Sequence, residues 1–348
     1  MPAHTHTHDG IDWADRLADL READAVNAAA LRPVADRLIE SLPAPHPTVI
    51  DVGCGAGGMS AALAAALVGR ATASGQNRPD AAVGDSRPGA AVGHGRPDAA
   101  AGHNRPGAPD ACEPGDARDS APDSGGGTLV LVDLVPELLA AAQEAAVAAM
   151  GVGGAVNVRT HQADVADPGS FGGLPDADLV WASNVVHHVP DQGAAVTRLA
   201  GLLAPGGCLA LSEGGLSMRC LPWDVGVGEP GLQDRLIAAH GTWFQGMRAD
   251  MTGAVRMPTG WNRVLGAAGL SGVTAFSYLV DVPAPLSEAG QDAVVSWLTW
   301  MTHGTADLLS PDDLAALHRL LDPADPAYVA RRDDVFMLKA STVHIGWR

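Results

Sequence analysis

The sequence is short of lysine, aromatic residues and charge. Of its 22 basic residues one is a lysine, Lys339, and aromatics make up 4% of the 348 residues. Charged residues reach 18%, against roughly 25% in ordinary soluble domains. The net charge of −18 excludes a general nucleic-acid binder, which needs a positive surface to displace counterions, and disfavours anionic membranes. No apolar run reaches the ~20 residues that span a bilayer. Four cysteines (Cys54, Cys112, Cys208, Cys220) without C-x-x-C spacing indicate neither a structural zinc nor a disulfide framework. The first ten residues lack the charged-then-apolar order of a signal peptide, so a cytoplasmic protein is expected. His4, His6 and His8 alternate there without a carboxylate cluster, and no metal site is expected.

What is abundant is alanine, glycine (42) and proline (25), the bias of a GC-rich genome such as an actinobacterial one. Residues 71–127 carry that bias furthest. They contain two valines and no Leu, Ile, Met, Phe, Trp or Tyr, and Arg-Pro recurs every nine residues from Arg78 to Pro106. Such a repeat has no apolar face to bury, so it is expected to be a disordered insertion. Lengthening a loop from about 10 to about 60 residues adds only about 1.6 kcal/mol of closure entropy, which a fold can absorb.

The rest alternates strands and helices. A helical region is expected over about 11–42, a buried strand at 48–52, and an Ala/Leu helix over about 57–69. A second strand at 128–133 precedes a helix starting near Pro136. A third lies near 156–162 and a fourth at 177–183, followed by a helix near 191–203. Pro205-Gly-Gly207 is expected to turn into a fifth strand at 208–212. Two later strands, about 273–282 and 335–347, flank a helical stretch at 287–321. Continuous apolar strands separated by helices predict a mostly parallel sheet covered on both faces.

Gly53, Gly55 and Gly58 satisfy G-x-G-x-x-G, which lets a backbone turn approach a ligand and a helix start present N–H groups. Asp51, two residues earlier, would repel a pyrophosphate but suits a ligand bearing an ammonium group. Asp133 ends the second strand, placed to accept both hydroxyls of a ribose. Such an acid normally follows the glycines by ~20 residues. Here it follows Gly58 by 75, and removing the 57 residues of 71–127 leaves 18.

On these motifs the chain resembles the class I S-adenosylmethionine-dependent methyltransferases, particularly the small-molecule type similar to quinone-biosynthesis enzymes. The resemblance covers about 47–70 and 128–215. It implies a Rossmann-like α/β fold with a seven-stranded, mostly parallel sheet and an antiparallel last strand. It implies S-adenosyl-L-methionine as cofactor, held by Asp51, Gly53, Cys54, Gly55, Gly57, Asp133, Leu134, Ala163, Asp164, Ser183 and Asn184. In it, Gln162-Ala-Asp164 is similar to the adenine motif and Asp178–Val189 to the fourth-strand motif. There is no N/D-P-P-Y/F/W after that strand, unlike enzymes of exocyclic base amines, and one lysine cannot supply the two-lysine set of RNA ribose methyltransferases. Small molecules remain the acceptor class, with oxygen the expected atom and nitrogen or carbon open.

His187, His188 and Glu213 follow the fourth and fifth strands and are the candidate bases. Trp223, Trp243 and Met247, with Trp13 on the first helix, are candidate walls of an apolar substrate pocket. The expected layout is a tail and helical cap (1–46), a cofactor-binding core (47–70 and 128–215), the insertion (71–127), a substrate lid (216–260) and a C-terminal part of the core with a helical insertion (261–348). Rival readings are a non-catalytic protein binding the same cofactor, and an NAD-dependent oxidoreductase, which would lack its Tyr-x-x-x-Lys pair. Oligomeric state leaves no mark in the sequence.

Overall fold

A computed structural model describes residues 16–76, 125–152 and 154–348, without the side chains of 74–76. Trp13, the N-terminal histidines and the nine-residue repeat lie outside the described residues. Among the described residues seven strands form one sheet: β1 (Thr48–Val52), β2 (Thr128–Asp133), β3 (Asn157–Gln162), β4 (Ala177–Ser183), β5 (Leu203–Arg219), β6 (Ser271–Val282) and β7 (Met337–Trp347). Their order is β3-β2-β1-β4-β5-β7-β6. The first five pair in parallel, whereas β7 runs antiparallel to both β5 and β6. The expected seven-stranded sheet with a reversed last strand is therefore present. The order reverses between β1 and β4, and a crevice at the carboxyl ends of the strands belongs there.

Strand alternation decides which side chains reach that crevice. Val49, Leu129, Leu131, Leu179 and Trp181 pack with three helices: α1 (Leu17–Glu40), α2 (Gly58–Gln76) and α3 (Pro136–Met150). Ile50, Val52, Val130 and Val180 pack on the opposite face with α4 (Gln192–Gly201) and with Val264 and Leu265 of α6 (Trp261–Ala267). Between Ile50 and Val52, Asp51 must face the α1 side, and Asp133 follows Val132 onto the same side. Helix starts obey local chemistry: Pro136 opens α3, and the Asp191 carboxylate accepts from Ala194 N–H at the start of α4.

The last helices, α7 (Glu288–Thr305) and α8 (Pro311–Leu321), join α5 (Leu232–Asp250) in a third apolar cluster built on Leu236, Leu298, Met301 and Leu317. Residues 216–260 and 287–321 thus share one core. Among the described residues no helix is long and apolar enough to cross a membrane.

Three expected boundaries shift. Helix α2 continues to Gln76, into the segment assigned to the insertion. Pro205-Gly-Gly207 does not precede β5 but lies inside it: Ala177 pairs with Leu203 and Leu179 with Cys208, so the extra residues bulge out. Strand β5 also runs past Ser212 to Arg219, with a register shift against β7 between Ser212 and Gly215.

The insertion joins the end of α2 to the start of β2, the amino edge of the sheet. There Thr128 N–H donates to the Pro47 carbonyl and Gly126 N–H to that of Ala155. A chain lacking residues 77–124 is expected to bind S-adenosylhomocysteine nearly as well as the parent. A calorimetric loss beyond about tenfold (~1.4 kcal/mol) would contradict that separation of edge and crevice.

Candidate active site

A cavity of about 630 Å³ opens at the carboxyl ends of β1, β2 and β4. Asp51, Gly53, Cys54, Gly55, Asp133, Leu134, Ala163, Asp164, Ser183, Asn184 and His188 all line it. One stripe of α1 (Leu20, Asp24, Asn27 and Leu31) covers one side, and Tyr278 and Lys339 close another.

The glycine turn is set by close packing. Gly53 has φ +67°, and a Cβ there would clash with Cγ2 of Val185. Gly57, at φ +97°, faces α3 so closely that a Cβ would meet the Ala142 Cα at 2.6 Å. Gly57 therefore shapes the turn without lining the cavity. The N–H groups of this turn are already engaged. Gly55 N–H donates to Asp133 Oδ2 (3.0 Å), Gly57 N–H to the Cys54 carbonyl (3.0 Å), and Gly58 N–H to Asp24 Oδ2 (2.8 Å). The expectation of free helix-start N–H groups is corrected here: a carboxylate from α1 occupies the first of them.

Three carboxyl groups thus meet around the turn. Asp51 is buried and accepts from Ser60 Oγ at 2.6 Å. Burial pushes it up to about 7, the Ser60 hydroxyl opposes this, and the charges of Asp133 and Asp24 add to it. Asp24 rises to about 6, again by burial, against the pull of the Gly58 N–H. Asp133 is raised by burial too, against the N–H groups of Val135, Gly55 and Leu134. Between them, Cys54 is kept a thiol by burial and the neighbouring charges of Asp51 and Asp133.

Beyond β4, Asn184 sits at φ +53°, a conformation Asn tolerates better than most residues, and its N–H donates to the Ser212 carbonyl. The following 3-10 turn, Val186–His188, is held by Glu213. Oε1 of Glu213 accepts from Val185 N–H (3.0 Å) and Val186 N–H (2.8 Å), and Oε2 lies 2.6 Å from His187 Nδ1. Glu213 is buried within β5, not set beyond its end as expected. His187 is absent from the cavity lining, but its ring lies 4.0 Å from that of His188 and edge-on to Phe244 at 5.7 Å. Arg248 of α5 donates to the carbonyls of Val189 (2.6 Å) and Pro190 (3.2 Å), pinning α5 to this turn.

The expected aromatic wall lies elsewhere. Trp223, Trp243 and Met247 are not among the lining residues. Trp223 is exposed, and Trp243 packs near His240 (5.2 Å), which in turn meets Trp300 (5.1 Å). Their place is taken by the α1 stripe and by Tyr278 and Lys339.

Residues 111–209 match the family model of a methyltransferase domain. The match spans β2 to β5 and leaves out the glycine turn, which the repeat separates from it. No curated protein matches the chain. Among solved structures, an O-methyltransferase family protein from Burkholderia thailandensis is 19% identical, with 70% of this chain and 52% of that one covered and a TM-score of 0.36. The chain thus spans about half the length of that protein. The YcgJ protein of Bacillus subtilis is 15% identical over 90% and 97% of the two chains, TM-score 0.40. Magnesium protoporphyrin IX methyltransferase from Synechocystis PCC 6803, solved with bound S-adenosylhomocysteine, is 16% identical over 78% and 89%, TM-score 0.38. The chain carries a methyltransferase domain and is an S-adenosylmethionine-dependent methyltransferase, with S-adenosylmethionine as its methyl donor.

Proposed function

We propose that the chain methylates a small molecule of the cytoplasm, with oxygen as the acceptor atom, and that the cavity between α1 and the glycine turn holds the donor. The observation that carries this reading is the convergence of Asp24, Asp51 and Asp133 on a turn whose N–H groups at Gly55, Gly57 and Gly58 are already engaged. A diphosphate would meet three carboxyl groups and few donors there. A cationic adenosyl amino acid finds acceptors instead, which disfavours the NAD-dependent alternative.

In this assignment Asp51 takes the amino acid's ammonium and Asp133 the ribose hydroxyls. Leu134, Ala163 and Asp164 flank the adenine, while Gly53, Cys54 and Gly55 shape the floor and Gly57 fixes the turn. Ser183 and Asn184 stand at the end of β4 beside the reacting centre. The donor supplies an activated methyl group, and the protein's task is alignment and removal of the acceptor's proton. His188, in the cavity wall, is the base candidate. His187 and Glu213 hold the turn that carries it. Free buried cysteines at positions 54, 208 and 220 suit a reducing compartment.

Calorimetry should show micromolar S-adenosylhomocysteine binding and none for NAD, and a methyl-release screen over hydroxylated acceptors should show turnover. Binding without turnover on any acceptor would favour a non-catalytic role.

The raised Asp51 gives a sign to the pH dependence. An ammonium ligand pairs with the ionised carboxylate, so affinity should rise with pH up to about 7 and fall by up to about tenfold per pH unit below it. The ligand-free fold should show the opposite trend. A carboxyl raised in the folded state favours folding below its ordinary value, and that benefit is lost as pH rises through about 7. Asp51→Asn should flatten both slopes, and calorimetry and thermal melts between pH 5 and about 8 would read them.

A further inference from the structure

The only lysine of the chain is half-buried. Lys339 lies on β7, paired with Val280 of β6, and Tyr278 pairs with Ser341 two positions along. Diagonal neighbours of this kind share one face of the sheet, so Tyr278 and Lys339 stand together, and both line the cavity. Among the described residues no hydrogen bond or ion pair engages the Lys339 ammonium, although Asp24, Asp51, Asp133 and Asp164 line the same cavity. Burial pushes its pKa below the ordinary lysine value, a cost that a bound anion would offset.

Strand order separates this group from the donor's place. Asp133 is on β2 and Asp51 on β1, while β4 and β5 lie between β1 and β7. At about 4.8 Å per strand, Lys339 and Asp51 arise about 14 Å apart across the sheet. That exceeds the reach of one amino-acid head group. Adenosine over β2 and β3 and the amino acid over β1 leave the β4–β5–β7 side of the cavity for the acceptor.

We propose that Lys339 and Tyr278 form the acceptor subsite, and that it takes a small aromatic or partly apolar molecule carrying an ionised oxygen, a carboxylate or an acidic hydroxyl. The assignment rests on the donor placement proposed above. The ammonium pairs with the anionic oxygen, and the Tyr278 ring covers the apolar body.

A single lysine makes the test clean. The full chain is saturated with S-adenosylhomocysteine, the saturation verified by calorimetry, and treated near neutral pH with trinitrobenzenesulfonate, an anionic aromatic amine reagent. Peptide mass spectrometry then follows Lys339 apart from the terminal amine. Lys339 should be modified in the saturated protein, millimolar benzoate should protect it, and equal benzamide should not. An unmodified Lys339, absent protection by benzoate, or equal protection by the neutral amide overturns the subsite. Modification that S-adenosylhomocysteine itself abolishes places Lys339 with the donor and overturns it too. Failure of S-adenosylhomocysteine to bind at all instead sinks the donor placement, and calorimetry reads that outcome separately.

Discussion

Asp133→Ala is expected to weaken S-adenosylhomocysteine binding by roughly a hundredfold to ten-thousandfold, from two charge-assisted hydrogen bonds of about 1.5–3 kcal/mol each. The carboxylate accepts Gly55 N–H at Oδ2 and Val135 N–H at Oδ1, and its remaining lone pairs would take the ribose hydroxyls of the proposed donor. Those two bonds also brace the glycine turn, so alanine removes a prop as well as a ligand. Asp133→Asn separates the two roles. It retains one acceptor oxygen and the volume, and should bind more weakly than the parent yet better than alanine. Adding Asp51→Ala removes the ammonium partner and should take binding below calorimetric detection, with the circular dichroism of the sheet intact. Unchanged uptake in the double variant would end the assignment of this cavity to the donor.

How far the site was legible follows from the range of each contact. Asp51 and the glycines lie within one strand-turn-helix unit, so spacing alone places them together. Asp133 was hidden by the repeat until its 57 residues were subtracted. Asp24 carries no local mark: it meets Gly58 only because α1 docks on α2, 34 positions away. Its stripe with Leu20, Asn27 and Leu31 has helical spacing, but nothing in that spacing says which face covers a ligand. Glu213 was expected just past the end of the fifth strand, read as 208–212. The chain instead continues through a bulge and buries it. Scarce aromatics suggested a pocket, yet Trp243 packs beside His240, which in turn meets Trp300 of α7. Lys339 was conspicuous by count, but only the pairing of β7 with β6 and β5 brings it to the cavity.

Glu213→Ala should be the most damaging single change outside the donor contacts. It leaves two backbone N–H groups, those of Val185 and Val186, without an acceptor, one of them fully buried. At about 1–3 kcal/mol for each unsatisfied donor the fold loses roughly 2–6 kcal/mol, a large part of a typical 5–15 kcal/mol stability. Melting by calorimetry should drop by several degrees, and turnover should fall because the loosened turn carries His188 and follows Asn184. Glu213→Gln tests whether the charge or the acceptor is what counts. Its amide oxygen can still accept from Val185 and Val186, so melting should recover most of the loss. The amide cannot give His187 an ionic partner, however, and the 2.6 Å contact at Nδ1 becomes a neutral hydrogen bond. If Glu213 acts on chemistry through His187, the pH profile of turnover in Glu213→Gln must move although the fold is restored. A glutamine variant with parental melting and a parental profile would reduce Glu213 to a structural acceptor. An alanine variant that melts with the parent would remove even that role, because two stranded N–H groups cannot be cost-free in a buried turn.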